Sequence, residues 1–136
     1  MNQIFNHSIW STHALLVGRI MMGALFLIAG IGKFQAIDKT AGYIASVGLP
    51  AAVALAWLAA IFEVVMAVAI IVGKHFKEAA IMLAVFTFII SFIFHGPSSW
   101  AGDMMAQMMF MKNMAIVGGL LFMAAHGAGN TWRLRI

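Results

Sequence analysis

The sequence predicts an all-α integral membrane protein in which four transmembrane helices form a bundle, with residues 1–136 as a single domain. Composition is the first observation: 64% of the residues are apolar and 9% are charged, whereas soluble domains are about 45–50% apolar and about 25% charged. The second is a mean hydropathy of +1.02. The third is that four apolar runs follow one another, each near the roughly 20 residues that a helix needs to cross a bilayer.

The four spans are expected at about residues 14–32, 51–73, 79–95 and 108–126. The third run crosses only if Glu78 and His95 lie at the membrane interfaces. The fourth reaches spanning length only if Lys112 and Asn113 lie within it. The long connection 33–50 is expected to hold a short interfacial helix around residues 40–47, and Pro50 suits the first turn of the next span.

Charge and cysteine content narrow the class of protein further. Eight Lys and Arg against four Asp and Glu give a net charge of +4, with zero Cys, which excludes disulfides, thiol redox chemistry and thiolate metal sites. The basic residues are too dispersed for nucleic-acid binding. No cleavable signal is expected. The positive-inside rule favours a multi-pass bacterial inner-membrane protein with both termini in the cytoplasm, since one side holds Lys74, Lys77, Arg133 and Arg135 and the other Lys33, Lys39 and Lys112.

Two ionisable residues lie within the predicted spans. A charged residue in a span costs roughly 2.5–3.5 kcal/mol on insertion scales. Glu63 and Arg19 are therefore each expected to make an interaction that offsets this cost. Small residues flank Glu63 at helical spacing, which predicts that it faces the bundle, and Arg19 lies at similar depth. We expect them to pair. Three interpretations remain: a structural ion pair, an Arg19 that extends to the headgroups, and a ligand or proton site.

A second polar group is expected at the opposite side of the membrane from the termini. Thr87, Ser91 and His95 share one face of the third helix. Together with Lys33, Lys112 and Asn113 they predict a polar vestibule for a ring with carbonyl oxygens, such as a quinone headgroup. The alternative is that the hydroxyls bond to their own helix and that Lys and His lie among lipid headgroups.

Metal binding has weak support in this sequence. The methionines between Met104 and Met114 are soft ligands that suit Cu(I), but methionine is also a common filler of apolar packing. The histidines lack metal-binding spacing. We therefore predict no metal site, and no haem, flavin or iron–sulfur ligands of a recognised kind are evident.

Several segments together resemble the DoxX family of small bacterial inner-membrane proteins. They are LLVGRIMMGALFLIAGIGKF, a loop ending in GLP, the Glu of the second span, the FHG end of the third, and FMKNMAIVGGLLFMAAHGAG. The likeness covers about residues 14–130 and implies a four-helix domain. The family takes its name from a membrane subunit linked to thiosulfate:quinone oxidoreduction. Residues 130–133 depart from the family's usual Tyr-Ser-Leu-Asp-like close. The family's recurrent polar positions match Arg19, Lys33, Glu63, Lys112 and Asn113.

The resemblance implies a redox-linked, quinone-associated membrane subunit that acts with a redox partner protein. The lipid bilayer surrounds the chain, and a homo-oligomer is a further option for its assembly. Whether the chain is an enzyme by itself stays open, because it supplies no electron carrier of its own. Two other functions are retained: a small proton-coupled carrier in which Glu63 titrates, and a structural or assembly protein. Replacement of Glu63 by Gln should separate the three, because it abolishes proton coupling, weakens ligand binding or mainly destabilises the bundle.

Overall fold

The computed structural model describes the backbone of residues 7–129 and the side chains of residues 12–129. In that part of the chain four helices are long and apolar enough to cross a membrane, which confirms the predicted all-α, four-helix membrane fold. The C-terminal departure at 130–133 and the basic residues Arg133 and Arg135 lie outside the described residues. The helices are α1 His7–Gln35, α2 Ile37–Ser46, α3 Ala52–Val72, α4 Phe76–His95 and α5 Met104–His126, with a 3₁₀ turn at Pro97–Ser99.

Helix ends differ from the predicted bounds where local hydrogen bonds extend a helix. α5 begins four residues earlier than expected because Asp103 accepts a hydrogen bond from the amide of Ala106 at 3.0 Å, which caps the helix. α4 ends as predicted at His95, whose carbonyl accepts a bond from the indole of Trp100 at 2.8 Å. The interfacial helix expected near residues 40–47 is present as α2 and begins three residues earlier.

The bundle consists of two closely packed helix pairs. α1 packs against α3 and α4 packs against α5, while α3 and α4 make the smaller contact that joins the pairs. Glycine permits the close approach of α1 to α3: a Cβ on Gly30 would lie 2.7 Å from Val64 Cγ2 and 3.2 Å from the Ala60 carbonyl oxygen. Gly23 similarly faces Ala67. These contacts fix the register of the two antiparallel helices.

α2 extends the bundle beyond the end of α1. The helical conformation is interrupted at Ala36, which has φ −140°. α2 then packs through Ala41 and Ile44 against Ala56 near the start of α3. α1 therefore ends opposite the interior of α3, and α2 covers the first turns of α3. The main core lies elsewhere, between all four spans, and includes Phe26, Ile70, Leu83, Ala84 and Leu120.

Candidate functional site

A buried ion pair joins the end of α1 to the middle of α3. The ammonium of Lys33 lies 3.0 Å from Glu63 Oε1 and 2.9 Å from Oε2. The Glu63 side chain is 3% exposed and that of Lys33 is 27% exposed. The register explains the pairing, because side chains lean toward the N-terminus of their own helix. In antiparallel helices Lys33 and Glu63 therefore lean toward each other.

The predicted pairing of Arg19 with Glu63 is wrong. Arg19 is 2% exposed, and its guanidinium donates to the carbonyl oxygen of Ala128 at 3.1 Å, beyond the end of α5. With Gly30 beside Ala60 and Val64, Arg19 lies level with the C-terminal end of α3, roughly 15 Å along the axis from Glu63. The two side chains also lean away from each other, because the helices are antiparallel.

A cavity of about 590 Å³ opens beside the ion pair, between the two helix pairs and α2. Its apolar wall includes Ala29 of α1, Leu55 and Ala59 of α3, and Phe86 and Ile90 of α4. The lining of α4 runs from Phe86 to His95, a distance of roughly 14 Å along the helix axis. The volume falls in the range of roughly 300–1,000 Å³ that is typical of small-molecule sites.

Polar groups of the cavity come from α1, α2, α4 and α5, whereas α3 contributes only apolar residues to the lining. Three of the sequence-predicted residues, Lys33, His95 and Asn113, line it together, as expected for the vestibule. Lys39 and Tyr43 of α2 line it as well, and sequence reasoning missed both. The signal was available, because a predicted interfacial helix between two spans necessarily covers one end of the bundle. Tyr43 stacks on Phe94 with a ring separation of 4.8 Å.

Three other polar residues of the predicted vestibule lie outside the cavity lining. Lys112 is on the exposed side of α5, 3.6 Å from the sulfur of Met109. Ser91 is fully buried and donates to the carbonyl of Thr87 in its own helix, which agrees with the alternative interpretation of the hydroxyls. The Thr87 hydroxyl is buried as well and makes no hydrogen bond within the described part of the chain.

The ion pair leaves one hydrogen-bond donor of Lys33 for a ligand. A lysine ammonium has three donors, and the two Glu63 oxygens accept from Lys33. Among the residues that the structure describes, no other acceptor contacts this ammonium. Lys33 lines the cavity whereas Glu63 lies behind it, so the cavity contains a cation with its position fixed and one donor available to an acceptor oxygen.

Metal binding finds no support among the described residues, where no group of three His, Asp or Glu side chains could hold an ion. The Cu(I) hypothesis rested on methionines instead. On α5 these form an exposed face, with Met104, Met108 and Met111 each about 60% exposed or more. No geometry that joins their sulfur atoms is established, and the absence of a metal site stays a prediction.

Comparison with known proteins gives a consistent family assignment. The DoxX family model matches residues 14–96. The chain is 32% identical over 117 residues to inner membrane protein YphA of Escherichia coli (strain K12), across 85% of this chain and 84% of that protein. It is 36% identical over 115 residues to inner membrane protein YqjF of the same organism, across 85% of each chain. No solved structure matches the chain.

Proposed function

The chain belongs to the DoxX family, and from this premise we propose that it is a quinone-associated membrane subunit that passes electrons to or from a partner protein. Four apolar spans and two inner-membrane relatives make it a multi-pass inner-membrane protein. One observation carries the proposal: the cavity of about 590 Å³ is apolar along most of its wall and presents the ammonium of Lys33, held in place by Glu63.

These residues suit a ring that carries carbonyl oxygens. The Lys33 ammonium donates its third hydrogen to a carbonyl oxygen, and Glu63 prevents the ammonium from turning away. His95 and Asn113 present further polar atoms to the same cavity. Phe86, Ile90 and Leu55 provide an apolar surface for the ring and exclude water from it. A bound quinone supplies electron and proton carrier chemistry, and the partner protein supplies or accepts the electrons.

The cavity also has a proposed orientation in the membrane. Lys33, Lys39 and Lys112 belong to one end of the bundle, and Lys74, in the turn after α3, and Lys77, in the first turn of α4, belong to the other end. With both termini in the cytoplasm, as loop charge favours, the cavity opens toward the outer side of the inner membrane. The quinone then exchanges with the outer leaflet, and the partner protein docks on that side.

The test is quinone retention by protein purified in mild detergent. Native mass spectrometry and solvent extraction should find one quinone per folded chain. Lys33→Met should reduce retention at least roughly tenfold, since a charge-assisted hydrogen bond of about 1.5–3 kcal/mol is lost. Lys74→Met is the matched control, because it removes a lysine from the opposite end of the bundle. Equal quinone content in both variants, or only bulk phospholipid in the wild type, would contradict the proposal.

A proton-coupled carrier is the second candidate, favoured by the helix break at Ala36. Carriers commonly place interrupted helices beside their substrate, and the α1–α2 break adjoins the cavity. Proteoliposomes separate the two functions. A carrier predicts substrate-dependent proton flux that Glu63→Gln abolishes, whereas a quinone-associated subunit predicts no flux. If Lys33→Met and Glu63→Gln both retain quinone and lose only stability, the ion pair has a structural or assembly role.

A further inference from the structure

The end of the cavity beside α2 carries a positive charge in addition to the Lys33 ammonium that the quinone would use. Its lining contains Lys33, Lys39 and His95, and no Asp or Glu lines it. Glu63 is already engaged with Lys33 through both oxygens. Lys39 is exposed and forms no ion pair with any residue that the structure describes. One positive charge in the cavity therefore has no counterpart in the described chain.

The helix break places the first-turn amide groups of α2 at the same end of the cavity, although the C-terminal carbonyls of α1, one residue earlier, offset part of the helix dipole. The first turn of α2 lies at the cavity, since Ala36, Lys39 and Thr40 line it. No side chain caps this N-terminus, and helix N-termini attract anions through their free amide groups and the helix dipole. Asp38 in the first turn partly offsets this, but it is exposed and lies outside the lining.

Neighbouring polar side chains complete the set of donors. The Tyr43 hydroxyl and the amide of Asn113 line the cavity, and neither makes a hydrogen bond within the described residues. The nearest acid on α5, Asp103, is engaged as the cap of that helix. Below these groups the wall is apolar down to Phe86, over roughly 14 Å. A ligand that contacts both the polar donors at the rim and the apolar wall needs an anionic group at one end and an apolar group at the other.

From these features we infer that the rim formed by Lys39, Tyr43, Asn113 and the N-terminus of α2 binds the phosphate headgroup of an anionic membrane lipid. The lipid source follows from the apolar wall behind the rim and from the interfacial position of α2, which brings Lys39 to headgroup level. A soluble anion would not use the apolar wall. The acyl chain would occupy the apolar wall that the quinone ring would also use, so the two ligands compete for the inner cavity. The inference stands on Lys39, Tyr43 and the N-terminus of α2, which the proposed quinone does not contact.

The experiment compares lipid retention in bilayer discs that contain phosphatidylcholine alone or mixed with phosphatidylglycerol. The full chain, released from the mixed discs into native mass spectrometry, should keep one phosphatidylglycerol, and the retention should fall as salt is added, because Lys39 is exposed. Lys39→Gln should lower that retention roughly tenfold, the effect expected for one charge-assisted contact. Lys112→Gln is the matched control, since Lys112 is also an exposed lysine of this end but lies outside the cavity, and its retention should equal the wild-type value.

A second variant protects the test against misfolding. Tyr43→Phe keeps the stacking on Phe94 and removes only the hydroxyl, so we expect a smaller loss of phosphatidylglycerol, about threefold, with unchanged thermal unfolding. Three results would overturn the inference: equal losses in Lys39→Gln and Lys112→Gln, equal retention of phosphatidylcholine, or displacement of the lipid by inorganic phosphate alone. The last result would assign the rim to a soluble anion.

Discussion

α1 contributes a cation to each end of the bundle, and the two are held in different ways. In the middle of α1, level with the end of α3, Arg19 is 2% exposed and donates to the backbone carbonyl of Ala128. Near the end of α1, Lys33 is 27% exposed, is paired with a carboxylate and faces a cavity. The first contact ties the segment after α5 to the bundle. The second leaves a charged donor accessible to a ligand.

The difference teaches where to look for function in a bundle with few charges. A guanidinium bonded to a main-chain carbonyl satisfies the polar groups that a helix end leaves open, which is a structural task. Burial of the ion pair costs desolvation free energy, and the cavity beside it forgoes packing contacts. Neither feature is expected from selection for stability alone. The two ends should therefore respond differently: loss of the Arg19 contact should affect stability alone, whereas loss of the ion pair should affect both stability and ligand retention.

The largest loss in the free energy of unfolding is expected when Glu63, the buried partner of the ion pair, is replaced. Glu63→Leu leaves the Lys33 ammonium without a counter-charge, and removal of one partner of a buried pair costs about 3–5 kcal/mol. The lower part of this range applies here because Lys33 is partly exposed. The double variant Lys33→Met with Glu63→Leu should recover most of the loss, since apolar replacement of a whole pair is often neutral. Denaturant unfolding in detergent measures both, and additive losses would show that the residues are not coupled.

A smaller effect, confined to stability, is expected at the other end. Arg19→Met leaves the Ala128 carbonyl without this donor, and a buried unsatisfied polar group costs about 1–3 kcal/mol. Quinone content per folded chain should stay at the wild-type level, because Arg19 lies roughly 15 Å from Glu63 along the helix axis. Arg19→Lys keeps the charge and should recover part of the stability. Loss of quinone at unchanged stability would show that the two ends do not differ as proposed.

The sequence was sufficient to predict the spans and the α2 helix, but not the partner of Glu63. Transmembrane spans can be predicted from the length and hydropathy of apolar runs. α5 begins earlier than its apolar run because Asp103 caps the helix. Which cation pairs with Glu63 depends on the register of α1 against α3. Aligning these helices by the ends of their apolar runs puts Arg19 at the depth of Glu63, whereas close packing at Gly30 and Gly23 fixes a different relative height. The lean of side chains toward the helix N-terminus would have favoured a cation late in α1, which is Lys33.

The cavity was only partly predictable for a related reason. His95, Asn113 and Lys33 were expected at one end because they end or begin spans on the same side, and the structure brings them to one cavity. Thr87 and Ser91 share a face of α4, but that face is buried in the bundle interior rather than in the cavity wall. Helical periodicity identifies residues on a common face and does not tell which neighbour covers it. Lys112, which was predicted with the cavity residues, lies on the exposed side of α5 and outside the lining.

The last and smallest effect tests whether the α1–α3 register holds the functional end in place. Gly30→Ala would bring a methyl group within 2.7 Å of Val64 Cγ2, so α1 and α3 must separate near Lys33, at a cost of about 1–2 kcal/mol within the usual range for overpacking. Gly18→Ala, beside Arg19, is the matched control: no atom lies within 4 Å of its new methyl, and alanine favours a helix by roughly 0.5–1 kcal/mol over glycine. We expect the first substitution to lower both the unfolding temperature and quinone retention, and the second to raise the unfolding temperature slightly with retention unchanged. If Gly30→Ala keeps full retention despite its lower stability, then Lys33 and Glu63 hold each other in place without the help of helix packing, and the ion pair rather than the glycine contact positions the site.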